Sequence, residues 1–444
     1  MEQLTKVLPE LDVSRWTRIL GALLFLLVCP PVILLVWHTD IAFGGSLHQL
    51  ALSVAELRET ALSLLWHIWA PYWHGSPTAW TIIAVFSVVQ LILMKIVPGK
   101  PFYGPPTAND HIPEYRANGP ACYFITLALF AICSWGLGLF PATIIYDHFP
   151  SLLGALNLFS LGFCLILYLK GRFRPSGPDH GLSGNFIFDY YWGTELYPRI
   201  AGWDVKQFTN CRFGLMSWPL ILLSFAAKQH ELYGLSDSMI VAVALQLLYV
   251  TKFFFWETGY LRSLDIMHDR AGFYICWGCL VWVPAIYTSS TLYLVHHPNH
   301  LGPVLSWSIG ILGALCILSN YAADRQRQRV RASQGLCRVW GRQPKVIEAT
   351  YQNAVGETRT NILLADGWWG VSRHCHYLLE IAGAFFWTLP ALFDHGLPYF
   401  YVIFLTLLLA HRSFRDERRC SDKYGEGWKV YCQHVPYRLI PGLY

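Results

Sequence analysis

Residues 273–295 read FYICWGCLVWVPAIYTSSTLYLV. No Asp, Glu, Lys or Arg interrupts them, and the stretch has the length of one bilayer crossing, about 20 apolar residues with a range near 17–25. The rest of the chain agrees with that reading. Of its 444 residues 54% are hydrophobic, 16% aromatic and only 14% charged, whereas a soluble domain carries roughly 25% charged residues. Mean hydropathy is +0.35. So few charges cannot solvate a soluble exterior of this size, and so many rings exclude intrinsic disorder. No internal repeat or coiled-coil period is present. The expected fold class is therefore an all-α, polytopic membrane protein.

Ten segments approach the length of a span: 17–38, 78–97, 121–146, 151–170, 212–228, 237–256, 273–295, 303–323, 375–394 and 396–411. The stretch 47–73 carries Glu56, Arg58 and Glu59 and reads as an interfacial or re-entrant helix. With ten spans the basic loops 98–120, 171–211, 324–374 and the tail 412–444 share one side, which the positive-inside rule makes cytoplasmic. An eleventh span at 47–73 would carry Lys6, Arg15 and Arg18 to the far side. The chain opens with a charged stretch from Met1 to Arg18, and Cys29-Pro30-Pro31 interrupts the first apolar run. A retained first helix is expected there, not a cleaved signal peptide. The chain divides into 1–211, N-terminal spans and loops, and 212–444, spans with the ligand-binding residues.

The 12 cysteines are scattered and suggest neither a disulfide framework nor a zinc site. His374-Cys375-His376 is a weak metal candidate, because adjacent helical residues point apart; no metal is expected. A net charge of +5 gives no case for a nucleic-acid partner. The basic residues instead cluster late, at Arg325, Arg327, Arg329, Arg331, Arg338, Arg342 and Lys345, and again from Arg412 to Arg438. Anionic lipid alone explains such cations. It does not explain the interleaved Trp368, Trp369, Tyr424, Trp428, Tyr431 and Tyr437. Cations mixed with rings suit an anionic ligand with planar groups, such as a nucleotide.

Charges also fall in or beside spans, at Lys252, Glu257 and Glu380. Each fits either a buried ion pair that fixes register or a functional carboxyl whose proton is held by an apolar cavity. Arg412 and Asp416, four apart, share a face if that segment is helical. Pro436 and Pro441 stop any long terminal helix and suggest a tail folded back on its domain.

At these residues the chain resembles the sterol double-bond reductases, the family of the 7-dehydrocholesterol and Δ14-sterol reductases and the membrane part of lamin B receptor. The resemblance rests on Gly367-Trp368-Trp369-Gly370-Val371-Ser372-Arg373-His374 and on the tail from His411 to Tyr444, with Arg412, Arg415, Asp416, Glu417, Cys420, Lys423, Tyr424, Gly425, Trp428 and Tyr431. It extends upstream through Trp256-Glu257-Thr258 and Gly193-Thr194-Glu195-Leu196-Tyr197-Pro198-Arg199. The 7-dehydrocholesterol reductase branch is the nearest in pattern. The resemblance implies ten helices, NADPH as hydride donor, a sterol substrate in the lipid bilayer, and a cytoplasm-facing cofactor pocket in the C-terminal half. Its cofactor residues fall on Arg327, Arg331, Trp369, Arg373, His374, Arg412, Asp416, Lys423 and Tyr431. No GxGxxG follows a strand, so the site is not of Rossmann type.

An isolated C=C accepts hydride only after protonation, so a general acid is needed. Tyr431 or Asp416 is the expected acid, with Glu257 second. The expected bond is Δ7, with Δ14 and Δ24 behind it. The family's Asn-x-Gln-Lys reads Asp324-Arg325-Gln326-Arg327 here. The tail also resembles that of isoprenylcysteine carboxyl methyltransferases, which use S-adenosylmethionine. A non-catalytic scaffold like lamin B receptor is a third reading, weakened by the short segment before the first span. The expected membrane is the endoplasmic reticulum in a eukaryote or the inner membrane in a bacterium, and the chain suits either a monomer or a homodimer.

Overall fold

The computed structural model describes residues 15–56, 61–107, 109–352 and 356–443. Its principal helices are α1 (Arg15–Phe43), α2 (Pro77–Ile96), α3 (Gly119–Ala131), α4 (Phe149–Phe173), α5 (Leu215–Tyr233), α6 (Asp237–Phe255), α7 (Gly302–Ala332), α8 (Cys375–Thr388), α9 (Phe400–Tyr424) and α10 (Glu426–His434). The longest strands, β1 (Val346–Gln352) and β2 (Thr358–Leu364), form one antiparallel hairpin. The all-α, membrane-spanning class holds.

Among the described residues eight helical stretches are long and apolar enough to cross a bilayer: Trp16–Phe43, Pro77–Ile96, Gly119–Gly136, Phe149–Phe173, Asp237–Phe255, Phe273–His296, Gly302–Ala332 and Leu397–Tyr424. The sequence suggested ten. Of the other two, α5 carries Lys228 and Glu231 toward its end, and α8 has 14 residues, short of a span at 1.5 Å per residue. Within the segment 121–146 the long helix ends at Gly136, and a short one, Ile144–Asp147, begins after a break. The stretch 47–73 forms two short helices, Leu47–Glu56 and Ala61–Trp69, neither long enough to span; Arg58, Glu59 and Lys6 lie outside the described residues.

The described chain forms two compact units, one of 15–307 with 388–401 and one of 308–387 with 402–443. Within the larger unit local signals start the helices. Ser76 caps α2, its Oγ accepting from the Ala79 N–H, with Pro77 in the first turn. Ser236 does the same for α6. Asn157, fully buried, donates Nδ2 to the Pro30 carbonyl at 3.2 Å and accepts the Trp277 indole N–H at 2.8 Å, tying three spans. Two wide π-type segments, Gln207–Gly214 and Phe273–Tyr287, pack on each other, a geometry that in short form often marks functional sites.

The smaller unit is built on the hairpin. Ile347 pairs across with Leu363, and both face the cluster of Ala349, Tyr424, Trp428, Tyr431 and Val435. Ile362 and Leu364, on the opposite face, pack with Val330, Val339 and Trp369. The period of two thus buries both faces of the hairpin.

Candidate functional site

Helix α7 does not end where its apolar run ends. It continues to Ala332, so the expected loop arginines lie on a helix and Arg327 and Arg331 share one face. The Gly367-Trp368-Trp369-Gly370 turn docks on this extension. Trp368 N–H donates to Gln326 Oε1 at 2.9 Å, and the Trp369 indole N–H donates to the Ala323 carbonyl at 2.8 Å. Gly367 makes the turn possible: its φ is +60°, and a Cβ there would collide with the Gln326 amide.

Around Trp369 the wall assembles. The Arg327 guanidinium carbon sits 4.0 Å over the indole, a cation–π contact. Tyr431, buried on α10, donates its hydroxyl to the Trp369 carbonyl at 3.3 Å. The His376 ring lies 4.7 Å from Trp369 and 4.2 Å from Tyr377, and His374 stacks on Tyr377 at 5.1 Å. His374 and His376 were expected to point apart. His374 precedes the first turn of α8, so both rings join the same wall, their centroids 6.2 Å apart. Burial pushes the His374 imidazole down to about 4, against Asp416 and Glu417, which favour its charged form. It is therefore neutral at physiological pH, and its Nε2 is buried without a hydrogen-bond partner.

A cluster of cations adjoins the wall. Arg331 is exposed, yet Arg327, Tyr424, Cys420 and Asp416 all lie within electrostatic reach. The Lys423 ammonium sits 4.0 Å over the Tyr351 ring and 5.2 Å over Tyr424, with Arg419 and Arg331 near. Residues 412–416 are helical within α9, so Arg412 and Asp416 stand one turn apart as expected. Rings beside clustered cations, of which Arg327 also reaches Asp324 Oδ1 at 3.4 Å, with an orphaned imidazole nitrogen in the wall, fit a phosphorylated ligand with planar groups.

Two expected site residues sit otherwise. Glu257 belongs to the larger unit and forms a buried ion pair with Arg212; their side chains are 1% and 0% exposed. Its Oε2 also accepts from Arg212 at 3.2 Å and from the Gly119 N–H at 3.0 Å, while Arg212 donates to Asn118 Oδ1 at 2.8 Å. With both oxygens engaged by Arg212 and the Gly119 N–H, this carboxylate suits a structural pair and not a proton donor. Arg373 turns away from the wall. Its Nε donates to Glu417 at 2.7 Å and its NH1 to the Val435 and Pro436 carbonyls at 2.8 Å. The sequence reading gave no role to Tyr351, Tyr377 or Glu417, and weighed His376 only as a metal ligand. Glu417 stands in the quoted tail motif, but only its Arg–Asp neighbours drew a role.

A polytopic helical membrane protein with a cation-and-ring ligand cluster is the class these features define. The model of the ergosterol biosynthesis ERG4/ERG24 family matches residues 24–444, and the chain belongs to that family. It is 51% identical over 420 residues to the 7-dehydrocholesterol reductase of Arabidopsis thaliana, covering 94% of this chain and 95% of that one. To the 7-dehydrocholesterol reductase of Xenopus laevis it is 41% identical, covering 82% of this chain and 79% of that one. To the Δ14-sterol reductase of Methylotuvimicrobium alcaliphilum it is 34% identical, covering 95% and 94%. The chain is a membrane sterol reductase, and the match along 24–444 replaces the methyltransferase reading.

Proposed function

We propose that the chain reduces the Δ7 double bond of a sterol with NADPH, in the endoplasmic reticulum membrane of a eukaryotic cell or the inner membrane of a bacterial one. One observation carries the choice of bond: near-complete coverage at 51% identity to a 7-dehydrocholesterol reductase, against 34% to a Δ14-sterol reductase. The cofactor choice is supported by the cluster of cations beside the ring wall. Arg327, Arg331 and Lys423 would hold the phosphates, with Arg412 behind them on α9. Trp369, with His374 beside it, would hold a planar ring. When bound, NADPH supplies a hydride.

The rest falls to the chain. His374, neutral, offers its Nε2 to a polar edge without adding a second positive charge. A proton must reach one alkene carbon, and Asp416 or Tyr431 is the donor. Burial raises the Tyr431 phenol, with Arg327 opposing. A phenol that holds its proton at neutral pH is protonated when substrate arrives, and the guanidinium of Arg327 stabilises the phenolate left behind.

Purified protein in lipid, given NADPH or NADH and separately a Δ7, a Δ14 and a Δ24 sterol, tests this by mass spectrometry of the products. The expected result is a two-hydrogen mass gain on the Δ7 sterol alone, and with NADPH. Reduction of only the Δ14 or Δ24 sterol overturns the choice of bond, and equal rates with NADH overturn the choice of cofactor.

A further inference from the structure

Glu417 holds two arginines at once. Its Oε1 accepts from Arg373 Nε at 2.7 Å and its Oε2 from Arg438 Nε at 2.6 Å. The three side chains are 12%, 10% and 20% exposed, sheltered enough that such charge-assisted bonds are strong. The two arginines come from different segments. Arg373 closes the turn that carries Trp369; Arg438 lies in the last stretch of chain, its guanidinium 4.3 Å over Phe414.

Between those segments runs a short ladder. Arg373 N–H donates to the Tyr437 carbonyl at 2.9 Å and His374 N–H to the Arg438 carbonyl at 3.0 Å. Arg373 NH1 adds the Val435 and Pro436 carbonyls. The tail is thus fixed to the two residues that end in His374, the wall residue with the orphaned Nε2. Tyr431 lies on α10, just before this tail segment, and its hydroxyl reaches Trp369. No regular sheet or helix joins 373–374 to 435–438, so these four hydrogen bonds hold the register, and the carboxylate, gripping the guanidinium groups of both segments, orients the arginines that make and flank them. Asp416 and Glu417 are adjacent on α9 and therefore diverge: Asp416 lies within reach of Arg331, whereas Glu417 serves the tail.

We propose that Glu417 is a positioning residue, which through Arg373 and Arg438 clasps the C-terminal segment and so presets the Trp369–His374–Tyr431 wall for the nicotinamide cofactor. The inference rests on the NADPH reading above. A wall displaced by about 1 Å loses on the order of 100-fold in a reaction that depends on alignment.

Full-length Glu417→Gln and Glu417→Asp in lipid provide the test, with two readouts. Amide hydrogen exchange at Arg373 and His374 reports the clasp, and equilibrium binding of NADPH with separate KM values for NADPH and sterol reports its consequence. Glu417→Gln is expected to speed exchange at both amides and to weaken NADPH about 10- to 100-fold, with the sterol KM unchanged. Glu417→Asp, which keeps the charge, is expected to restore most of the affinity. Unchanged NADPH binding in folded Glu417→Gln overturns the proposal. So does a loss that falls equally on both KM values, or one that Asp does not rescue. If Glu417→Gln does not fold, Glu417→Asp against Arg438→Gln decides: the second must weaken NADPH more than the first, and the reverse order overturns the proposal. Wild type that binds no NADPH refutes the cofactor reading, and the exchange data then reduce the clasp to a structural one.

Discussion

Glu257→Gln separates a structural carboxylate from a catalytic one. The side chain is nearly isosteric, but the charge opposite Arg212 disappears. Arg212 is fully buried, and with glutamine in place its guanidinium keeps Asn118 Oδ1 and one amide oxygen at best. Removing one partner of a buried ion pair costs about 3–5 kcal/mol, because the other charge is left uncompensated. At about 2–4 °C per kcal/mol, the scale for large domains, the unfolding midpoint should fall by roughly 6–20 °C. The Gly119 N–H, now 3.0 Å from the carboxylate, gives the amide oxygen one good contact, which favours the lower end.

The assay is thermal unfolding in lipid nanodiscs, paired with sterol turnover well below the midpoint. Turnover there should stay within about tenfold of wild type, because general acid catalysis is typically worth 10²–10⁴-fold and none of it is assigned to this residue. The double variant Arg212→Met with Glu257→Leu should be more stable than either single variant, since apolar groups of similar size often replace a buried pair at little cost. A Glu257→Gln protein with an unchanged midpoint and turnover lowered a thousandfold would refute the structural reading and restore Glu257 as an acid.

Two further outcomes follow from the smaller unit. Arg327→Ala removes the guanidinium 4.0 Å over Trp369 and should raise the NADPH dissociation constant about 10- to 100-fold, read by indole fluorescence; Arg327→Lys should fall between, lacking the fork. His374 gives a pH signature. Above about pH 6.5 its ring is neutral in folded and unfolded chains alike; between there and about 4 only the unfolded chain takes up the proton, so stability falls as pH falls, by about 3 kcal/mol in all. His374→Gln should flatten that dependence in unfolding measured from pH 7.5 to 4.5, and an identical slope would refute the burial argument.

The membrane class and most spans were legible because an apolar run of fixed length is a one-dimensional signal. Two of the ten are less plain in the structure: α5 carries Lys228 and Glu231, and the helix within 375–394 stops at Thr388. The hairpin Val346–Leu364 was not read at all, since a basic run leads into it and its alternation covers only seven residues a strand. For the site, the sequence supplied residue types and spacing. Arg412 and Asp416 lie on one helical face as their spacing required. Arg212 as the partner of Glu257 is 45 residues away, a distance that no local pattern reports.

Arg373 shows what a motif conceals. It stands beside His374 in the run that marks the family, and a cation there reads naturally as a phosphate ligand. In the fold its Nε and NH1 donors already serve Glu417, Val435 and Pro436, whereas Arg331, outside that run, is exposed, with Arg327 and Lys423 near it and Asp416 as the acidic group in reach. A sheltered guanidinium with its donors satisfied fixes backbone; an exposed one amid like charge attracts an anion. The same residue type thus plays both parts within one small unit. The clasp and the proposed phosphate site both draw on arginine's fork, one for carbonyls and a carboxylate, the other for phosphate.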